Sequence, residues 1–212
     1  MYKTEWEIRR EICEVGKKLY DRGFVAATDG NLSVRIMGDR ILITPAGYSL
    51  ESMTPEDPVY VNFNSEVLSG RNRPSSELPM HIEIYRQRND VHAIVHAHPP
   101  LATAFTIAGE SLAEPVLPEI VAIYGSIPTA PYATPSTIEN AQVIREPIRG
   151  HDIVVLDHHG AVTVGPDLTD ALQKMEKLEL TAKTLFTAKQ LGRIEKLSEE
   201  QIQKLRLLAY SK

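Results

Sequence analysis

The chain has 212 residues, 42% of them hydrophobic and 24% charged, which supports a sizeable buried core and excludes disordered and fibrous classes. A formal net charge of −5 argues against a nucleic-acid partner, so an anionic substrate needs a local site. The single cysteine, Cys13, closes no internal disulfide, no apolar signal region opens the chain, and no apolar stretch approaches the ~20 residues that span a bilayer. A cytoplasmic protein without membrane contact is expected.

Thr4 with Glu7 has the pattern of a capping box, and Trp6, Ile12, Val15, Leu19 and Tyr20 keep a helical period up to Gly23. Short strands follow over 32–35 and 40–44 around a Met37-Gly38-Asp39 turn, then a Pro/Gly/Ser loop over 45–57 and a strand over 59–63. Ser76 is a good N-cap and Pro79 is tolerated only in a first turn, so the next helix starts at about Ser76 with Glu77 at its N-terminus. Val91, Ala93, Ile94 and Val95 form an apolar run that Pro99 and Pro100 stop. A helix over 101–107 leads to a strand or loop region ending at 127–132, and a short helix lies near 137–148. Residues 153–156 and 161–164 read as paired strands with His158-His159-Gly160 at the turn. A long amphipathic helix then runs from Leu168 through Met175 and Leu185 to Gly192, and a last helix starts at Ser198. No repeat or linker splits the chain, so residues 1–212 read as one domain. Helices at both ends with hairpin-like strands between them predict an α/β chain of α+β type, three layers with a mostly antiparallel central sheet flanked by helices.

His96 and His98 are the most informative pair. Residues i and i+2 of a strand share a face, so both imidazoles point the same way where the prolines end the strand. Neutral imidazole is the commonest metal ligand, and zinc accepts it together with carboxylate oxygen. Glu77 upstream, and His158 or His159 downstream, are further candidate ligands. Three protein ligands with an open position are the catalytic pattern for such an ion, whereas closed four-ligand sites are structural. His92 shares the strand face of His96 but reads as structural, and His81, one helical turn beyond Glu77, could orient it. Ser75 and Ser76 at a helix start, with Gly30 and Asn31, suit an anion such as phosphate.

Ser75-Ser76-Glu77, Val95-His96-Ala97-His98 and His158-His159-Gly160 occur in order with Thr28-Asp29-Gly30-Asn31, Thr44-Pro45-Ala46-Gly47 and Pro131-Tyr132-Ala133-Thr134. In this the chain resembles the class II aldolase/adducin family over nearly its whole length. The resemblance implies a Zn2+ ion, with Mn2+ or Co2+ as possible substitutes, held by Glu77, His96, His98 and His159. It places a substrate phosphate against Gly30, Asn31, Ala46, Gly47, Ser75 and Ser76. It implies cleavage of a ketose 1-phosphate resembling L-fuculose 1-phosphate to dihydroxyacetone phosphate and a small aldehyde such as lactaldehyde, with Glu77 as ligand and proton shuttle and Tyr210 as a second proton donor. It also implies a homotetramer whose sites lie between subunits. Ala46 stands where the fuculose-phosphate branch resembles a Thr-Pro-Thr-Gly pattern, so one hydroxyl is missing. Related epimerases carry an aspartate shortly before Tyr-Gly; here Ile120-Val121-Ala122-Ile123 precedes Tyr124-Gly125, which counts against epimerisation. A dehydratase, a decarboxylase and a non-catalytic adducin-like domain are the remaining readings.

Overall fold

The computed structural model describes residues 3–209, so Tyr210 lies outside the described residues. In chain order the elements are α1 (Glu5–Asp21), β1 (Asn31–Arg35), β2 (Arg40–Ile43), β3 (Val59–Asn62), β4 (Val67–Ser69), α2 (Leu78–Gln87), β5 (Ala93–Ala97) and α3 (Pro100–Ile107). They continue with α4 (Pro118–Tyr124), β6 (Thr129–Ala130), α5 (Ile138–Gly150), β7 (Ile153–Leu156), β8 (Gly160–Gly165), α6 (Leu168–Leu191) and α7 (Glu199–Ala209).

The strands join in one sheet of order β4-β3-β2-β1-β5-β8-β7-β6. Every pairing is antiparallel except β6 with β7, so the expected mostly antiparallel sheet is observed. Alternation along the strands splits the core in two, because successive side chains point to opposite faces. Leu32, Leu42, Ala93, Val95 and Val155 bury on one face with Ile12 and Leu19 of α1 and Leu172, Met175 and Leu178 of α6. Ile41, Ile43, Ile94, Val154 and Val162 bury on the other with Ile82 and Ile84 of α2 and Ile144 and Ile148 of α5. Helices therefore cover both faces, which explains why β5 and β8 are buried throughout rather than alternating.

Register positions the site. Asn31 of β1 stands directly opposite His96 of β5, and such partners share a face. The pairing of Ala97 with Ala161 brings the β7–β8 turn to the same end of the sheet. Glu77 caps α2 above that face.

Several details depart from expectation. The capping box of α1 is present as read, with the Thr4 side chain accepting from Glu7 N–H. Helix α2 begins later than Ser76: Glu77 is its cap without a side-chain capping bond, because its carboxylate is turned to Asn31, Asn140 and His96, and Ser75 Oγ accepts the Glu77 N–H at 3.2 Å. The region before 127 contains α4, which starts on Pro118 and buries Ile120 and Val121 on one side; its β-branched run gives no helical signal. Strand β4 is exposed along its length, so it lacks the alternation that marks a strand in sequence. Among the described residues no helix is long and apolar enough to cross a membrane.

Candidate active site

His96, His98 and His159 each offer a nitrogen within 4.8 Å of the others. His96 is fully buried at the end of β5, His98 follows where Pro99 turns the chain, and His159 comes from the β7–β8 turn. Glu77 joins them from α2, its Oε2 lying 2.9 Å from His96 Nε2 and its Oε1 3.6 Å from His159 Nε2.

Hydrogen-bond chemistry says what this cluster needs. The Ala161 carbonyl can only accept, so His96 Nδ1 carries its hydrogen toward it at 3.0 Å. His96 Nε2 is left facing Glu77 Oε2 at 2.9 Å and His98 Nε2 at 3.2 Å. In a neutral ring that nitrogen holds a lone pair, so electron-rich atoms converge on one point, a costly arrangement unless a cation sits among them. His159 Nδ1 is also buried with no hydrogen-bond partner among the described residues. Three imidazoles and a carboxylate form a donor set that suits zinc and other borderline divalent ions.

The charge states fit that picture. Burial alone lowers the pKa of His96, but the charge and hydrogen bond of Glu77 outweigh it and the net shift is upward. Burial would raise Glu77, yet the charge and hydrogen bond of His96, then the Asn31 amide, hold its carboxyl well below the usual range. Burial, reinforced by the charge of His96, pushes both His98 and His159 down to about 4. Glu77 thus favours a proton on His96.

Two carboxamides pin Glu77: Asn31 Nδ2 donates to Oε2 at 2.8 Å and Asn140 Nδ2 to Oε1 at 3.2 Å. Asn140 was not legible in sequence, since it arrives from α5, 63 residues away. Asp29 lies 3.7 Å from His98 Nδ1 and orients that ring from outside the cluster.

Above the cluster opens a cleft of about 340 Å³ lined by Gly30, Asn31, Ala46, Gly47, Ser75, Ser76, Glu77, His98 and His159, with Asp29 and Ser136 also in its wall. All the candidate phosphate contacts thus share one cavity with Glu77, His98 and His159, and His96 is buried beneath it. Ser75 is buried, while Ser76 is exposed and meets Ser136 Oγ at 2.8 Å. Ser136 and His158 have φ of 62° and 57°, and such strained residues concentrate at functional sites. Two glycines are required here. At Gly30, φ is 74° and a Cβ would stand 2.5 Å from Val25 Cγ1; at Gly160 it would stand 2.7 Å from His98 Cδ2. A larger groove of about 930 Å³ lies beside α1, lined by acids and bases such as Glu11 and Arg35 and by His92, which the sheet holds away from the cluster. The convergent ligands are in the smaller cleft.

The rival histidine and three further side chains stand apart from the cluster. His158 turns outward and pairs with Asp157 at 2.8 Å, which leaves His159 as the histidine of the cluster. Tyr132 is exposed beside His158, Tyr124 packs against the core, and Glu119 pairs with Lys177 at 3.1 Å.

Comparison with known proteins follows the same lines. A family profile described as Class II Aldolase and Adducin N-terminal domain matches residues 10–186. L-fuculose phosphate aldolase of Methanococcus maripaludis is 37% identical over 172 residues, covering 81% of this chain and 92% of that protein. The 3-oxo-tetronate 4-phosphate decarboxylase of Escherichia coli is 31% identical over 188 residues, covering 87% and 88%. A solved L-fuculose 1-phosphate aldolase superposes with a TM-score of 0.89 at 30% identity, over 98% of this chain and 97% of that one.

The electrostatics predict the acid response of the metal-free protein. His98 and His159 have folded pKa values of about 4, below the unfolded value of roughly 6.5. The unfolded state therefore binds more protons over that interval, and stability falls as pH falls through it. His96, with a raised pKa, acts oppositely: its contribution is full below the unfolded value and is lost as pH rises through the folded one. Two histidines outweigh one, so urea denaturation should give a lower midpoint near pH 4 than near pH 6.5. A midpoint that rises on acidification would contradict this assignment.

Proposed function

The chain belongs to the class II aldolase and adducin family, and from that premise we propose a zinc-dependent aldolase that cleaves a ketose 1-phosphate. Its substrate is of the L-fuculose 1-phosphate type, and its products are dihydroxyacetone phosphate and a small aldehyde such as lactaldehyde. The observation that carries this reading is the convergence of Glu77, His96, His98 and His159 beneath a cleft walled by Gly30, Ser75 and Ser76.

Those four residues would hold the ion. A bound divalent ion would supply Lewis-acid stabilisation of the negative charge that develops on substrate oxygen when the C3–C4 bond breaks. Glu77 is kept as a carboxylate, able to receive the proton that the C4 hydroxyl gives up on cleavage and to deliver it to C3 of the hydroxyketone fragment. The amides of Asn31 and Asn140 hold its oxygens in place for that transfer. Ser75 and Ser76, with Gly30, Asn31, Ala46 and Gly47, hold the phosphate and so orient the bond to be broken. The Ala46 N–H is already taken by the Arg73 carbonyl at 3.0 Å, so Ala46 lines the pocket without donating from its backbone.

A second reading is decarboxylation of a 3-oxo acid phosphate, favoured by the relative of that activity, while Ala46 in place of a hydroxyl-bearing residue weakens the fuculose-phosphate reading. Both reactions break a carbon–carbon bond near a carbonyl, and the same cluster serves either.

In the aldolase reading the chain forms a homotetramer, and Tyr210 reaches the cleft of a neighbouring copy as a proton donor. Exposed apolar side chains, Ile107 on α3, Ile123 on α4 and Phe186 on α6, support contact between copies.

Incubation of the zinc-loaded protein with phosphorylated ketoses and with 3-oxo acid phosphates should release dihydroxyacetone phosphate from the former. Carbon dioxide from the latter alone would select the decarboxylase. Glu77→Gln should cut turnover by roughly 10²–10⁴ with little change in KM, the range for a positioned acid–base group; turnover within a factor of about two of the parent would remove that role. Deleting residues 209–212 should lower turnover sharply at unchanged metal content. Full activity in the truncated protein, or a monomeric parent in sedimentation, would contradict the assembly.

A further inference from the structure

Behind Glu77 runs a line of buried polar groups that the proposed reaction does not use. Tyr85 Oη lies 2.9 Å from Ser33 Oγ, Ser33 Oγ lies 2.7 Å from His81 Nδ1, and His81 Nε2 lies 2.6 Å from Asn31 Oδ1. Asn31 then gives its amide to Glu77 Oε2 at 2.8 Å. Ser33, His81 and Tyr85 are completely buried, and Asn31 nearly so.

The proton positions follow from the chemistry of the last partner. A carboxylate only accepts, so Asn31 must present its NH₂ to Glu77 and its carbonyl to His81. That carbonyl also only accepts, so His81 carries its hydrogen on Nε2. Nδ1 of the neutral ring is then bare and takes the Ser33 hydroxyl hydrogen, which leaves the Ser33 oxygen to accept from Tyr85. Every donor in the line points toward Glu77, the arrangement in which successive hydrogen bonds strengthen one another. Burial, with the charge of His96 adding to it, pushes His81 down to about 3, so the ring stays neutral.

We propose that His81 is a positioning residue: it fixes the orientation of the Asn31 carboxamide, and through it the placement of Glu77. A carboxamide is symmetric in shape. Without a donor at His81 Nε2 it can rotate and set its oxygen against the carboxylate, which repels Glu77 instead of holding it. Ser33, backed by Tyr85, supplies a hydroxyl hydrogen to the bare Nδ1 and so supports that tautomer. The kinetic consequence rests on the role given to Glu77 above; the tautomer does not.

Two experiments separate these levels. Nitrogen-15 spectra of the imidazoles in the metal-free protein at neutral pH should show His81 as the Nε2–H tautomer with a bare Nδ1. An Nδ1–H tautomer or a doubly protonated ring would overturn the proposal whatever reaction the protein catalyses. For the second, His81→Leu should lower kcat of the zinc-loaded enzyme by roughly 10–100-fold with KM little changed, the scale of effects from groups that orient metal ligands. The same change made in Glu77→Gln should cost almost nothing further, because the residue it acts through is already altered. Should His81→Leu fail to fold, His81→Gln keeps a donor near the Nε2 position and should retain most of the turnover. Equal losses from His81→Leu in both backgrounds, or a loss in folded His81→Gln as deep as in Glu77→Gln, would mark His81 as a packing residue only.

Discussion

The hydrogen bond from His96 Nδ1 to the Ala161 carbonyl commits the other ring nitrogen to the cleft. That bond depends on β5 and β8 being neighbours in the sheet, and it decides the tautomer of a ring with no exposure to solvent. Once Nε2 must face Glu77 and His98, the site is a concentration of lone pairs held by the fold. Such a site stores unfavourable energy that a cation or a proton relieves. The depressed Glu77 and the raised His96 are two expressions of that one interaction.

The surroundings hold this arrangement against relaxation. Glu77 cannot swing out, since Asn31 and Asn140 hold both oxygens. His98 is kept over the cluster by the main-chain bond from its N–H to the Phe24 carbonyl at 2.8 Å and by the absence of a side chain at Gly160. The strained turn at His158 delivers His159 while directing His158 itself outward. The cluster draws His96 from a strand, Glu77 from a helix cap, and His98 and His159 from the turns that follow β5 and β7, while loops at 28–30, 45–47 and 135–136 form much of the cleft wall.

Much of this was legible in sequence. The His96–His98 spacing and the prolines after it require a strand end, and the long helix over 168–191 is plain from its apolar period. What was hidden is hidden for physical reasons. Asn140, Asp29 and Ser136 are small polar residues whose local role as turn or helix-end groups masks contacts made across the fold. Ser33 and Tyr85 sit at positions a strand and a helix would bury in any case, so burial alone does not disclose the hydrogen bonds they make. The run of β-branched residues in α4 reads as a strand, and the proline at its start together with packing on one side makes it helical instead.

The central claim is that Glu77, His96, His98 and His159 form one divalent-metal site. Calorimetric titration of zinc into the metal-free protein tests it most directly, with elemental analysis of the dialysed product. One ion per chain is predicted, and no bound ion in the doubly substituted His96→Ala, His98→Ala protein although its denaturation remains cooperative. Retention of one tightly held zinc by that folded double variant would contradict it.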